Sequence, residues 1–222
     1  MITVLIDNAY GLDTRGRMSP FIENIDGIPL SFLNGNRFRE WIFNRELAKS
    51  IMVELQRQGF VTRLVVNERV DINLASRVKR VNGICSQYGA KNVLLLSLGC
   101  GSSINENEWS DEKGWSFYVT NKRFENDLIG SCIMSHAIKC LGDSNVVKNN
   151  PYEIQECDHK GFLLKKVLCP SVITRNFFYT NESNLRYMVS DEGYKNLVKL
   201  HVDAVLDYAK TLKEEANRGI VP

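Results

Sequence analysis

Val93-Leu94-Leu95-Leu96-Ser97-Leu98 is an apolar run without polar alternation. A strand with one wet face alternates apolar and polar residues, so this run predicts a strand over 92–98 that is covered on both faces, as in a parallel sheet. The segments on either side alternate in type. Upstream, residues 71–88 carry Leu74, Val78 and Val81 on one helical face and are followed by Gly89, which predicts a helix with a glycine stop. Residues 60–66 read as a strand. Residues 39–58 read as an amphipathic helix, with Phe43, Leu47, Ile51 and Leu55 spaced by four before Gly59. The short run Ile2-Thr3-Val4-Leu5-Ile6 is the first strand, ending in Asp7-Asn8. Downstream, 115–120 reads as a strand and 126–141 as a helix. Residues 162–168 and 171–174 read as closing strands, and 191–216 as a terminal helix. Residues 11–36, rich in Gly, Pro, Asn and Asp, read as a long loop, a feature that in compact domains commonly carries function.

Strands alternating with helices predict a single α/β domain over 1–222, with a mainly parallel twisted sheet and helices on both faces. In such sheets ligands bind beyond the carboxyl ends of the strands. That rule points to residues 7–11, 98–103 and 174–178.

Charge narrows the partners little. The net charge of +2 comes from 28 basic and 26 acidic residues, so nothing pulls the chain toward nucleic acid or a membrane. The six cysteines, Cys85, Cys100, Cys132, Cys140, Cys157 and Cys169, include no C-x-x-C pair and several lie in apolar runs, which predicts buried, reduced thiols. Cys157-Asp158-His159 is a weak metal fragment beside that reading. The start lacks a basic leader and a cleavage site, which predicts a cytoplasmic protein as encoded, with action outside the cytoplasm open to a phage-encoded chain or to one whose sequence starts at the mature end.

A set of short motifs runs through nearly the whole chain in order. They are Ile6-Asp7-Asn8 with Gly11, Arg17-Met18-Ser19-Pro20, Glu40-Trp41-Ile42-Phe43-Asn44-Arg45-Glu46, Leu74-Ala75-Ser76-Arg77 with Asn82, Leu94-Leu95-Leu96-Ser97, Gly114-Trp115, and Cys169-Pro170-Ser171-Val172-Ile173-Thr174 leading to Asn176-Phe177-Phe178. In this set the chain resembles the zinc-dependent N-acetylmuramoyl-L-alanine amidases of peptidoglycan metabolism (amidase type 3, phosphorylase/hydrolase-like in fold). The resemblance implies a zinc ion held by a histidine after the first strand, a glutamate opening the first long helix and a histidine after the third strand. A second glutamate after the last strand is then the general base. Three protein ligands leave one position for a water whose pKa falls to roughly 7.

Carried over residue by residue, that pattern breaks. Tyr10 stands at the first histidine, Gly99 at the second and Arg175 at the base, while Glu40 matches the ligand glutamate. Glycine offers no donor atom. A guanidinium about 5 Å from a dication is repelled by roughly 6 to 7 kcal/mol at an effective dielectric of about 20. The expectation is therefore that no cofactor is held and that the pocket of Asn8, Tyr10, Glu40, Ser97, Gly99, Cys100, Arg175 and Asn176 belongs to a pseudoenzyme, one that binds cell-wall fragments or a protein partner. Arg175 is expected to pair with Glu40 in it. Two alternatives stand beside this: an active amidase with an atypical Tyr10/Glu40/Cys100 metal site, and a structural component of a phage or secretion assembly. A serine triad built on Ser97 lacks a base and a nucleophile-elbow pattern. His136 and His201 read as structural histidines on helices, and His159 as solvated.

Overall fold

The structure, a computed structural model, describes residues 2–120, 123–148, 151–152 and 159–218. Its centre is a five-stranded sheet of β1 (Thr3–Asn8), β4 (Val61–Leu64), β5 (Val93–Gly101), β6 (Ser116–Tyr118) and β7 (Ser171–Phe178), in the order β4-β1-β5-β7-β6. The first four in that order run parallel, and the edge strand β6 is antiparallel to β7. Two short strands, β2 (Leu33–Asn34) and β3 (Arg37–Phe38), form a separate hairpin.

The helices are α1 (Glu40–Arg57), α2 (Leu74–Tyr88), α3 (Phe124–Leu141), α4 (His159–Lys166), α5 (Glu182–Val189) and α6 (Asp191–Asn217). Successive strand residues point to opposite faces, and here both faces are covered. Val4, Ile6, Leu94, Leu96 and Leu98 pack into the larger core with Leu47, Ile51, Ile129, Ile133 and Leu200 from α1, α3 and α6. Leu5 and Leu95 pack into the smaller one with Val81 of α2 and Leu163 of α4. All nine residues of β5 are buried, which is why its sequence shows no alternation. Among the described residues no helix is long and apolar enough to cross a membrane.

One element differs in type from its sequence reading. Residues 162–168 were expected as a closing strand, but His159–Lys166 is helix α4, continued by a bond from the Val167 amide to the Leu163 carbonyl (3.1 Å). Leu163, Leu164 and Val167 are buried while Lys165 and Lys166 face out; that spacing fits one face of a helix. Helix α5 falls in a stretch to which the sequence reading gave no element. The Asn181 side chain caps it, accepting from the Asn184 amide. Within the long loop, Ile22, Ile28 and Phe32 are buried in the larger core.

Candidate functional site

The carboxyl ends of β1, β5 and β7 lie side by side, with Asn8 paired to Leu98 and Thr174 to Leu98 on its other side. Beyond this point the β5–β7 ladder slips. Gly99 pairs with Arg175 and Gly101 with Phe178, so Cys100 alone opposes Asn176 and Phe177. Such a bulge re-aims side chains at a strand end. Its extra residue, Phe177, has φ 63°, and Tyr10 (68°) and Arg17 (54°) are the other non-glycine residues at positive φ among the described residues. Each such position costs on the order of 1–3 kcal/mol, and they gather at functional sites. Gly101 is required by close approach, since a Cβ there would sit 2.8 Å from the Phe178 ring. Gly11 is another such case: a Cβ would meet the Asp71 nitrogen at 2.1 Å.

Glu40 opens α1 with its side chain turned inward and wholly buried. Oε1 accepts from the Cys100 backbone amide (2.7 Å) and from Asn44 Nδ2 (3.3 Å). The Cys100 thiol lies against Asn44 Oδ1 at 3.5 Å. Arg175, next to Gly99 in the ladder, carries its guanidinium over the rings of Tyr118 (5.2 Å) and Phe178 (5.7 Å).

Two residues that the sequence reading did not assign to the pocket complete it. Arg17 stacks on the Tyr10 ring at 4.6 Å and pairs with Glu106 at 3.6 Å. Its backbone amide also donates to Glu106 Oε2 (2.8 Å), and the Tyr179 hydroxyl donates to Glu106 Oε1 (2.5 Å). Burial works against the Arg17 charge, but the fields of Tyr10, Glu40 and Tyr179 outweigh it and raise its pKa. Burial, the Glu40 charge and the bond to Glu106 push the Tyr179 phenol up, so it stays a protonated donor. Arg17 was legible only as part of a motif, and Glu106 sits in a polar loop without any periodic or motif signal.

Behind Tyr10 the cleft rests on Arg77, which is almost wholly buried. Its Nη1 donates to Asp7 Oδ1 (2.6 Å) and the Asn8 carbonyl (3.0 Å), its Nη2 to Asp71 Oδ1 (2.7 Å) and its Nε to the Ile72 carbonyl (2.6 Å). Ser97 gives its hydroxyl proton to Asp7 Oδ2 (2.8 Å), so it acts as a brace. A cleft of about 520 Å³ opens here, lined by Tyr10, Arg15, Arg17, Asn73, Arg77 and Ser97 among others.

Asn176 is also structural. Its Oδ1 accepts from Trp115 Nε1 (3.0 Å) and its Nδ2 donates to Thr174 Oγ1 (3.3 Å). Thr174 in turn meets His201 (2.9 Å), and His136 pairs with Asp207 across α3 and α6 (2.7 Å). Among the described residues no three His, Cys, Asp or Glu side chains gather as a metal-binding group. Cys157, Asp158 and the side chain of His159 lie outside the described residues.

The sequence profile of the N-acetylmuramoyl-L-alanine amidases matches residues 4–207. A comparison with curated proteins finds no match. Among solved structures, an N-acetylmuramoyl-L-alanine amidase from Clostridium difficile 630 superposes with a TM-score of 0.68 at 20% identity, covering 94% of this chain and 97% of that one. The CwlD amidase of Clostridioides difficile, solved in complex with the GerS lipoprotein, gives 0.70 at 13% identity over 95% and 100%. The amidase AmiC2 of Nostoc punctiforme gives 0.67 at 15% identity over 94% and 97%. At these identities the likeness is one of fold.

Proposed function

The chain belongs to the N-acetylmuramoyl-L-alanine amidase family, and from that premise we propose that it is a member whose cleft binds rather than hydrolyses, taking a peptidoglycan fragment. The observation that carries the reading is Arg17. A guanidinium stacked on Tyr10 and paired with Glu106 lines this cleft together with Arg15 and Arg77.

The residues present do not fit the family's zinc. Tyr10 lies beneath a cation, Gly99 has no donor atom, and Glu40 Oε1 already accepts two hydrogen bonds. Arg175, at the base position, cannot take a proton from water at any working pH. What these side chains can do is hold an anion: a guanidinium bonds a carboxylate through two donors, and stem-peptide fragments carry carboxylates. Elemental analysis of the purified protein together with a calorimetric titration of muropeptide tests the proposal. We expect zinc far below one ion per chain, and saturable binding without release of peptide. One zinc per chain with peptide release from peptidoglycan would overturn it. Absence of binding alongside a stable oligomeric assembly would point instead to a structural component of an assembly.

Within the same proposal Arg175 helps to neutralise Glu40 across the strand end. A double-mutant cycle on Arg175→Met and Glu40→Gln is expected to give a coupling above about 0.5 kcal/mol, beyond what independent sites show. Additive losses would mean that the two charges do not communicate.

A further inference from the structure

The chain contains two Asn-Gly steps, Asn34-Gly35 and Asn82-Gly83, and the fold treats them in opposite ways. A glycine after an asparagine leaves its own backbone nitrogen unshielded, free to attack the asparagine's side-chain amide. Asn82 lies inside α2, where the helix engages the Gly83 amide. Its side chain is clamped as well: Nδ2 donates to the Lys166 carbonyl (3.0 Å) and Oδ1 accepts from the Leu168 amide (2.9 Å). Asn34 and Gly35 stand instead at the tip of the β2–β3 hairpin, where Asn34 pairs with Arg37 across a two-residue loop. Both are exposed. Gly35 takes φ 57°, and a Cβ on it would meet nothing within 4 Å. Asn36, the other loop residue, is tied down by its Nδ2 to the Ile22 carbonyl (3.0 Å), whereas among the described residues no such bond holds the Asn34 side chain.

We propose that Asn34 is a site of spontaneous covalent modification, deamidation through a cyclic imide, with water as the co-reactant. The Gly35 nitrogen attacks the side-chain carbonyl carbon of Asn34 and gives up its proton to solvent. A new carbon–nitrogen bond closes the ring, the side-chain carbon–nitrogen bond breaks, and ammonia leaves with a proton taken from water. Water then opens the ring at either carbonyl, leaving aspartate or isoaspartate at position 34. One water is consumed and one ammonia released, with no change of oxidation state. Either product sets a carboxylate opposite Arg37, and opposite charges facing each other across strands attract. Arg37 Nη1 now holds Asn107 Oδ1 (3.0 Å), one residue from the Glu106 that pairs with Arg17. Isoaspartate also adds an extra atom to the main chain of a tight turn, which disturbs the register that sets Phe38 opposite Leu33. Phe38 is wholly buried against Phe43 and Tyr179, so a change at the exposed tip is carried into the larger core.

Native protein held in warm, mildly alkaline buffer, then mapped by peptide mass spectrometry and enzymatic methylation of isoaspartate, tests the site. We expect position 34 to convert roughly tenfold or more faster than position 82, since 82 reacts only when α2 opens and about 1.4 kcal/mol of opening free energy already slows a reaction tenfold. In urea-unfolded protein the two should convert at similar rates, because glycine follows both. Asn34→Gln, whose longer side chain closes the ring poorly, should leave position 34 unmodified. An intact Asn34 in the folded protein, or equal conversion at 34 and 82 there, would overturn the proposal. A preference for 34 that persists in urea would place its cause in local sequence and overturn the structural assignment. The mapping of the unsubstituted chain holds whether or not the variant folds.

Discussion

Arg77→Ala is expected to lose about 3–5 kcal/mol of folding stability, the range for breaking a buried ion pair from one side. The guanidinium makes four hydrogen bonds to Asp7, Asn8, Asp71 and Ile72, and both its side chain and that of Asp7 are only 3% exposed. Removing it leaves the Asp7 carboxylate buried with Ser97 as its remaining hydrogen-bond donor and frees the loop at Asp71 that backs Gly11 and Tyr10. Domains of this kind are stable by only about 5–15 kcal/mol, so the loss is a large share of the whole. Urea unfolding measures it. Arg77→Met combined with Asp7→Asn should recover part of the loss, since no lone charge then remains buried. A shift below about 1 kcal/mol for Arg77→Ala would mean that water reaches the site and the network is not a structural support, since solvated pairs contribute this little.

Acid should weaken the fold through His201. The ring is wholly buried. Its Nδ1 donates to the Leu197 carbonyl (2.7 Å), and its Nε2 accepts from the Thr174 hydroxyl (2.9 Å), an arrangement that only the neutral imidazole satisfies. Burial lowers its pKa to about 4 from the ordinary 6.5, against the opposing Leu197 bond. Between those values the unfolded chain binds a proton that the folded chain refuses. Stability is therefore full above pH 6.5 and falls with decreasing pH by about 1.4 kcal/mol per unit, for a total of roughly 3 kcal/mol by pH 4. Below that both states are protonated and the loss stops. Unfolding curves at pH 7 and pH 4.5 should show the native chain losing about 2 to 3 kcal/mol more than His201→Gln does over the same interval. Parallel losses would exclude His201 as the source. Because Thr174 also bonds Asn176, which holds Trp115, acid would loosen the carboxyl end of β7 as well.

The sheet was legible because burial on both faces leaves a mark in sequence: β5 must be apolar at every position, and the run from Val93 to Leu98 says so without any partner in view. Helices α1, α2, α3 and α6 were legible for a related reason, since a helix against a sheet needs one apolar stripe. The stretch around α4 failed that test. In a segment of eight residues, Leu163, Leu164 and Val167 satisfy a buried strand as well as a helical face, and only packing against α2 decides between them.

The site divides along the same line. The sequence reading expected Tyr10, Gly99 and Glu40 at ligand positions and Arg175 at the base position, and the structure sets them after β1, in β5, at the start of α1 and in β7. It also named Ser97 and Asn176, though not their work: each makes a buried hydrogen bond whose partner, Asp7 or Trp115, lies about 60 residues or more away. The pairing of Arg17 with Glu106 and that of Arg77 with Asp7 belong to tertiary structure alone. Each joins residues roughly 70 to 90 positions apart, and a charge acquires its role from what is buried beside it. Local sequence sets backbone preference and burial pattern; which distant groups then share a low-dielectric space is decided only when the chain closes on itself.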